Sequence, residues 1–119
     1  MPVQQQVIEF HPRHRAAVLD GSKTVTVRWN EAIIVGAAWL AFDPARREVL
    51  DGVVLEIQRF PLNKLTAAAV SAPDNTDMAE YVRQLRENYY PAMPAEAVLD
   101  VVHFRIQSPQ QLVPAYSMA

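Results

Sequence analysis

The chain predicts an α+β domain, a small closed or nearly closed β-barrel with helices at its ends. Three observations carry this reading. Strand-like runs outnumber helical ones and follow each other without regular β-α alternation. The glycines at 21, 36 and 52 each precede or interrupt a strand-like run, as turns of a mostly β domain do. No glycine-rich phosphate loop is present, which removes a nucleotide-binding doubly wound sheet.

The elements follow in order. Val7 to Phe10 reads as a short strand. His11 to Leu19 reads as a helix, with Pro12 suited to its first turn and Gly21 as its stop. Thr24 to Trp29 alternates as a second strand, and Asn30 to Gly36 is a loop. Ala37 to Phe42 is the third strand, ended by the Asp43-Pro44 turn. Val49 to Phe60 is a long β-rich stretch with Gly52 as its bend. Leu62 to Val70 has helical composition, with Leu65 and Ala69 facing inward, and Ser71 to Asp77 is a polar loop. Met78, Tyr81, Val82 and Leu85 recur at helical spacing, so Met78 to Asn88 is a helix. Asp77 is its expected N-cap and Glu80 the capping-box partner. Tyr90-Pro91 stops this helix, and Val98 to Ile106 is the last strand. The order is β-α-β-β-β-α-α-β.

Length and composition bound the rest. With 119 residues, half of them apolar, the chain makes one domain with one real core, about residues 7–106, and a tail over 107–119. The net charge of −2 argues against a generic nucleic-acid coat protein. The charge is uneven, however. Residues 1–30 carry Arg13, Arg15, Lys23 and Arg28 against Glu9 and Asp20, a net of +2, while the remainder carries −4. A basic patch on a mildly acidic body is expected. The absence of cysteine excludes disulfides, thiolate–zinc sites and cysteine nucleophiles. No apolar run is long enough to span a bilayer, and Met1 to Gln6 has no signal-peptide pattern. A cytoplasmic protein without membrane contact is the expectation.

Residues 21 to 28, Gly-Ser-Lys-Thr-Val-Thr-Val-Arg, are the chemically distinctive segment. Val25 and Val27 share one face of the strand. Thr24, Thr26 and Arg28 share the other, and Lys23 stands at the entrance. Two readings stand side by side. One is a solvated strand face of ordinary composition. The other is a nucleophile–base pair, in which a partly desolvated Lys23 takes the proton of a threonine. His11, Arg13, His14 and Arg15 form a basic run, read as surface histidines or a phosphate-contacting patch rather than a metal centre. His103, between Val102 and Phe104, reads as a structural histidine. Trp29, Trp39, Tyr89 and Tyr90 can stack bases or fill the core. Asp74, Asp77 and Glu80 flank the second helix, as caps or as a general acid or base.

The octapeptide resembles the signature of ASCH domains, small relatives of the PUA-like RNA-binding fold. Further segments resemble the family: Val18-Leu19-Asp20-Gly21 before the motif, Gly36 with the strand Ala37 to Phe42, Leu62-Asn-Lys-Leu65-Thr66, Tyr90-Pro91 and Val101-Val102-His103-Phe104. The resemblance implies a PUA-like barrel of five to six mixed strands with two or three flanking helices. Some small members are amidohydrolases that deacetylate N4-acetylcytidine. By that resemblance Lys23 is the general base, Thr26 the nucleophile, and an acidic residue assists proton transfer. The family's glutamate before the second helix is here best matched by Asp74, whose side chain is shorter by about one C–C bond, roughly 1.5 Å. Thr24, Arg28, Trp29 and Arg13 are the expected substrate contacts. Partners are then a small nucleoside or nucleotide, or RNA for a non-catalytic or ribonucleolytic module. No metal or organic cofactor is implied, and the sequence leaves the oligomeric state open.

Overall fold

The computed structural model describes residues 6–107, together with the backbone of residues 112–113. The described residues form six strands and two α-helices: β1 (Gln6–Glu9), α1 (Arg15–Asp20), β2 (Val25–Arg28), β3 (Gly36–Ala41), β4 (Val49–Pro61), α2 (Met78–Asn88), β5 (Val98–Ile106) and β6 (Leu112–Val113). The strands are hydrogen-bonded in the order β1-β3-β4-β5-β2, with β6 on β4. β1 runs parallel to β3, and β3 antiparallel to β4, so the sheet is mixed and the class is α+β. The chain forms two compact units. One comprises residues 1–24, 33–56 and 103–119; the other comprises 25–32 and 57–102. β4 and β5 each pass from one unit into the other.

In the first unit, β3 alternates in burial from Ala37 to Leu40, and its last residue, Ala41, is fully buried as well. Ala38 and Leu40 are fully buried, and Leu40 faces Leu50 of β4 across the ladder. The ring of Phe10 lies 5.3 Å from Phe42 and 5.3 Å from Phe104, which makes an aromatic centre for this core. Gly52 is a packing glycine rather than a mere bend. A Cβ there would stand 2.9 Å from Leu40 Cδ1 and 3.1 Å from the Arg105 carbonyl. Both neighbours are well held, because Leu40 is fully buried and Arg105 belongs to β5. Gly52→Ala is therefore expected to lower the unfolding free energy by roughly 1–3 kcal/mol through overpacking, measured by urea titration.

In the second unit, one face of β5 supplies Leu99 and Val101, both fully buried. They pack with Val25 and Val27 of β2, Leu85 of α2, Leu62, Leu65, Val70, Met93 and Ala97. α2 begins as expected: Asp77 Oδ1 accepts from the Ala79 and Glu80 amides at 3.0 and 3.2 Å. Glu80 serves differently from a capping-box partner, because Arg83 and Gln84 occupy its carboxylate.

The expected helix over Leu62 to Val70 does not form. Leu62–Lys64 makes one 3-10 turn, and Leu65 then returns to extended backbone. Thr66 caps a single turn, its Oγ1 accepting from the Ala69 amide and its carbonyl from the Val70 amide. Ser71, at φ 58°, ends it. The extended backbone at Leu65 divides the nine-residue segment, so its helix-favouring composition has no continuous run to act on. The N-terminal residues 1–5, part of the segment read for a signal sequence, lie outside the described residues, as does most of the 107–119 tail. Within that tail, Leu112 and Val113 pair with Leu50 and Val49.

Candidate functional site

The segment entering β2 is shaped by the end of α1. Gly21 takes φ 83°, the left-handed region that glycine enters without a steric penalty, and its amide donates to the Val18 carbonyl. Asp20 Oδ1 accepts from the Ser22 amide at 2.8 Å, and the Lys23 amide donates to the Ala17 carbonyl at 3.0 Å. These bonds hold Lys23 half-buried and leave Thr24 exposed, with its carbonyl accepting from the Phe104 amide.

In the second unit, Val25 and Val27 enter the core as alternation requires. The opposite face is exposed at Thr24 but not solvated at Thr26 and Arg28, which corrects the simpler of the two sequence readings. Thr26 is 7% exposed and Arg28 is 8% exposed. A buried guanidinium needs partners, and these are provided. Arg28 Nε donates to Thr26 Oγ1 at 2.9 Å. Arg28 Nη1 donates to Glu31 Oε1 at 3.1 Å. The loop makes this second bond possible: Asn30 takes φ 57°, a conformation asparagine tolerates, and brings Glu31 back over Arg28.

Glu31 has a further partner from distant sequence. The Tyr90 phenol donates to Glu31 Oε2 at 2.5 Å. Burial first, and then the Glu31 carboxylate, push the phenol far above the ordinary tyrosine range, so it stays protonated and remains a donor. The Trp29 ring meets Tyr90 edge-on, with centroids 5.8 Å apart. Both rings also pack against the core of this unit, which limits Trp29 as a free stacking platform. The result is a hydrogen-bonded chain from Thr26 through Arg28 and Glu31 to Tyr90. Thr26 and Arg28 were legible as a pair on one face. Glu31 was missed, although an acidic residue three positions after Arg28, with a turn-forming asparagine between, is a visible signal.

Asp74 is exposed in the turn at residues 74–75, closed by the Thr76 amide donating to the Pro73 carbonyl. Arg13 is exposed in the basic run. Much of that run is structural: His11 Nδ1 accepts from the Arg13 amide, and Arg15 grips Glu48 through two bonds of 2.7 and 3.2 Å. His103 is half-buried and engaged with the protein. Among the described residues, no group of three or more histidine, aspartate or glutamate side chains is arranged to hold a metal ion. No helix there is long and apolar enough to cross a membrane.

Comparison with solved structures agrees with this arrangement of elements. An ASCH protein of Zymomonas mobilis, solved as a point mutant, superposes with a TM-score of 0.64 over 95% of this chain and 77% of its own, at 16% identity. The chain has the ASCH-domain fold. The ASCH domain from Lactobacillus crispatus superposes with a TM-score of 0.60 at 8% identity, over 85% of this chain and 79% of its own. An Enterococcus faecalis protein of family DUF984 gives 0.65 at 16% identity, covering 90% of this chain and 82% of its own. No protein-family model and no curated protein matches the sequence. The octapeptide of residues 21–28 runs into β2, whose polar residues Thr26 and Arg28 are the buried, mutually bonded pair described above.

Proposed function

We propose that this ASCH-fold protein is an amide hydrolase acting on an acylated pyrimidine nucleoside such as N4-acetylcytidine, with Thr26 as nucleophile and Lys23 as general base. The observation that carries the reading is the bond from Arg28 Nε to Thr26 Oγ1 in a buried setting. A cation donating into a hydroxyl oxygen favours the alkoxide that attack on an acyl carbon requires. It also leaves the hydroxyl proton free to pass to a base. In the proposed reaction Thr26 Oγ1 bonds to the acetyl carbon as its proton goes to the neutral Lys23 amine. The C–N bond then breaks, and the exocyclic nitrogen leaves as the amine after taking that proton. Water hydrolyses the resulting threonine ester to acetate and regenerates Thr26. Asp74 is the candidate for proton relay in this scheme. Thr24, Trp29 and Arg13 are the candidate substrate contacts.

The test is conversion of N4-acetylcytidine to cytidine, followed by chromatography. Wild-type protein is expected to turn over, while Thr26→Ala and Lys23→Ala each lose on the order of 10²–10⁴-fold in kcat. Absence of hydrolysis by wild type, across acylated nucleosides and a wide pH range, overturns the reading. The non-catalytic alternative is an RNA-binding module, which shows instead as RNA affinity that weakens with salt. Engagement of Arg28 by Thr26 and Glu31 argues for the enzyme, because it takes guanidinium donors away from phosphate.

A further inference from the structure

The Arg28 guanidinium acts on Thr26 only while its plane is fixed. An arginine side chain has several rotatable bonds, and Nε points at one acceptor only when the far end is held. The far end is held by Glu31, whose two oxygens are shared between Arg28 Nη1 and the Tyr90 phenol. Each oxygen thus already carries a hydrogen bond from a protein donor. That arrangement suits an anchor better than a group passing protons to substrate. Tyr90 is itself fixed, edge-on to Trp29 and packed on the core. Rigidity therefore runs from the core, through Tyr90 and Glu31, to the Arg28 Nε–H on Thr26.

We propose that Glu31 is a positioning residue of the Thr26 site, holding the Arg28 guanidinium with its Nε–H on Thr26 Oγ1, with Tyr90 locking Glu31 in place. Asp74 is exposed and has no part in this lock. The kinetic consequence rests on the amide-hydrolase reading, whereas the orientation of Arg28 does not, and the two are separable by experiment.

The test uses Glu31→Gln, Glu31→Leu and Tyr90→Phe in the full chain, with folding checked by circular dichroism. The first readout is the arginine Nε–H signal of Arg28 in 15N NMR, assigned with Arg28→Lys. In wild type this proton is expected to exchange slowly, because it is buried and donates to Thr26. In Glu31→Leu its protection is expected to fall at least tenfold, with smaller losses in Glu31→Gln, which keeps one acceptor, and in Tyr90→Phe. The second readout is kcat and KM on N4-acetylcytidine. Glu31→Leu is expected to lower kcat roughly 10- to 100-fold with KM little changed, the loss typical of about 1 Å of misplacement. Unchanged Nε–H protection in both folded Glu31→Leu and folded Tyr90→Phe overturns the proposal. If Glu31→Leu does not fold, Glu31→Gln and Tyr90→Phe decide on the same signal. Protection that falls in the variants, together with a wild-type protein that hydrolyses no acylated nucleoside, supports the positioning role and removes only the hydrolase reading.

Discussion

Arg28→Met is expected to lower stability by about 2–3 kcal/mol and to reduce turnover on N4-acetylcytidine roughly 10²- to 10³-fold. The stability loss follows from what remains. Methionine fills much of the same volume, so packing changes little. The Glu31 carboxylate loses its cation, and Thr26 Oγ1 loses a donor in a site 7% exposed. Removing one partner of a fully buried ion pair costs about 3–5 kcal/mol. The smaller value applies here because the Glu31 side chain is 38% exposed and can recover water. A double variant, Arg28→Met with Glu31→Leu, is expected to be less unstable than the sum of the singles, since it leaves no stranded carboxylate. Equal additivity in denaturant titrations contradicts the pairing. The activity loss has a separate cause: a donor facing a developing oxyanion or alkoxide is worth about 3–4 kcal/mol of barrier when deleted. Arg28→Lys restores charge but cannot bridge Thr26 and Glu31 together, so it is expected to recover stability more than turnover.

Much of the fold was legible in local pattern. β5 was readable over its full length because its apolar run is long, and α2 because its apolar spacing and its Asp77 cap agree. Leu62 to Val70 misled because composition reports helix propensity but not whether a run survives beyond one turn. Here the extended backbone at Leu65 divides the segment in two. The role of Gly52 was hidden for a different reason. It depends on Leu40 and the Arg105 carbonyl, which lie far away in sequence and meet only once β3, β4 and β5 are paired.

At the candidate site, period-two alternation correctly grouped Thr26 with Arg28 and opposed them to Val25 and Val27. It could not say which face is wet, because alternation ranks faces by composition and β2 is buried at every position. Glu31 was available to a local rule, since opposite charges three apart across a turn residue can meet. Tyr90 was not, being 59 residues from Glu31 in the chain. Its closing position beside Pro91 was visible, but nothing local connects a phenol there with the loop after β2. The site is therefore half local, with Thr26, Arg28 and Glu31 in six consecutive residues, and half tertiary.

Phe104→Ala is expected to be the most damaging single truncation in the first unit, costing about 3–5 kcal/mol. Phe104 is 1% exposed, and its ring lies against Phe10, which in turn stacks on Phe42. Removing it deletes a large apolar surface and leaves a cavity beside two rings carried by backbone at the ends of β1 and β3. The Phe10 amide donates to the Ala41 carbonyl and ties the backbone of the two segments together, which limits how far they can close over the space. Poor relaxation places the cost toward the upper part of the range. With domains of this size typically stable by about 5–15 kcal/mol, the variant loses a large share of its stability. In guanidinium titrations the midpoint is expected to fall with the slope unchanged, because the same surface is exposed on unfolding. Phe104→Leu, which refills part of the volume, is expected to lie between the two. A Phe104→Ala cost below 1 kcal/mol contradicts the aromatic centre as the core of this unit.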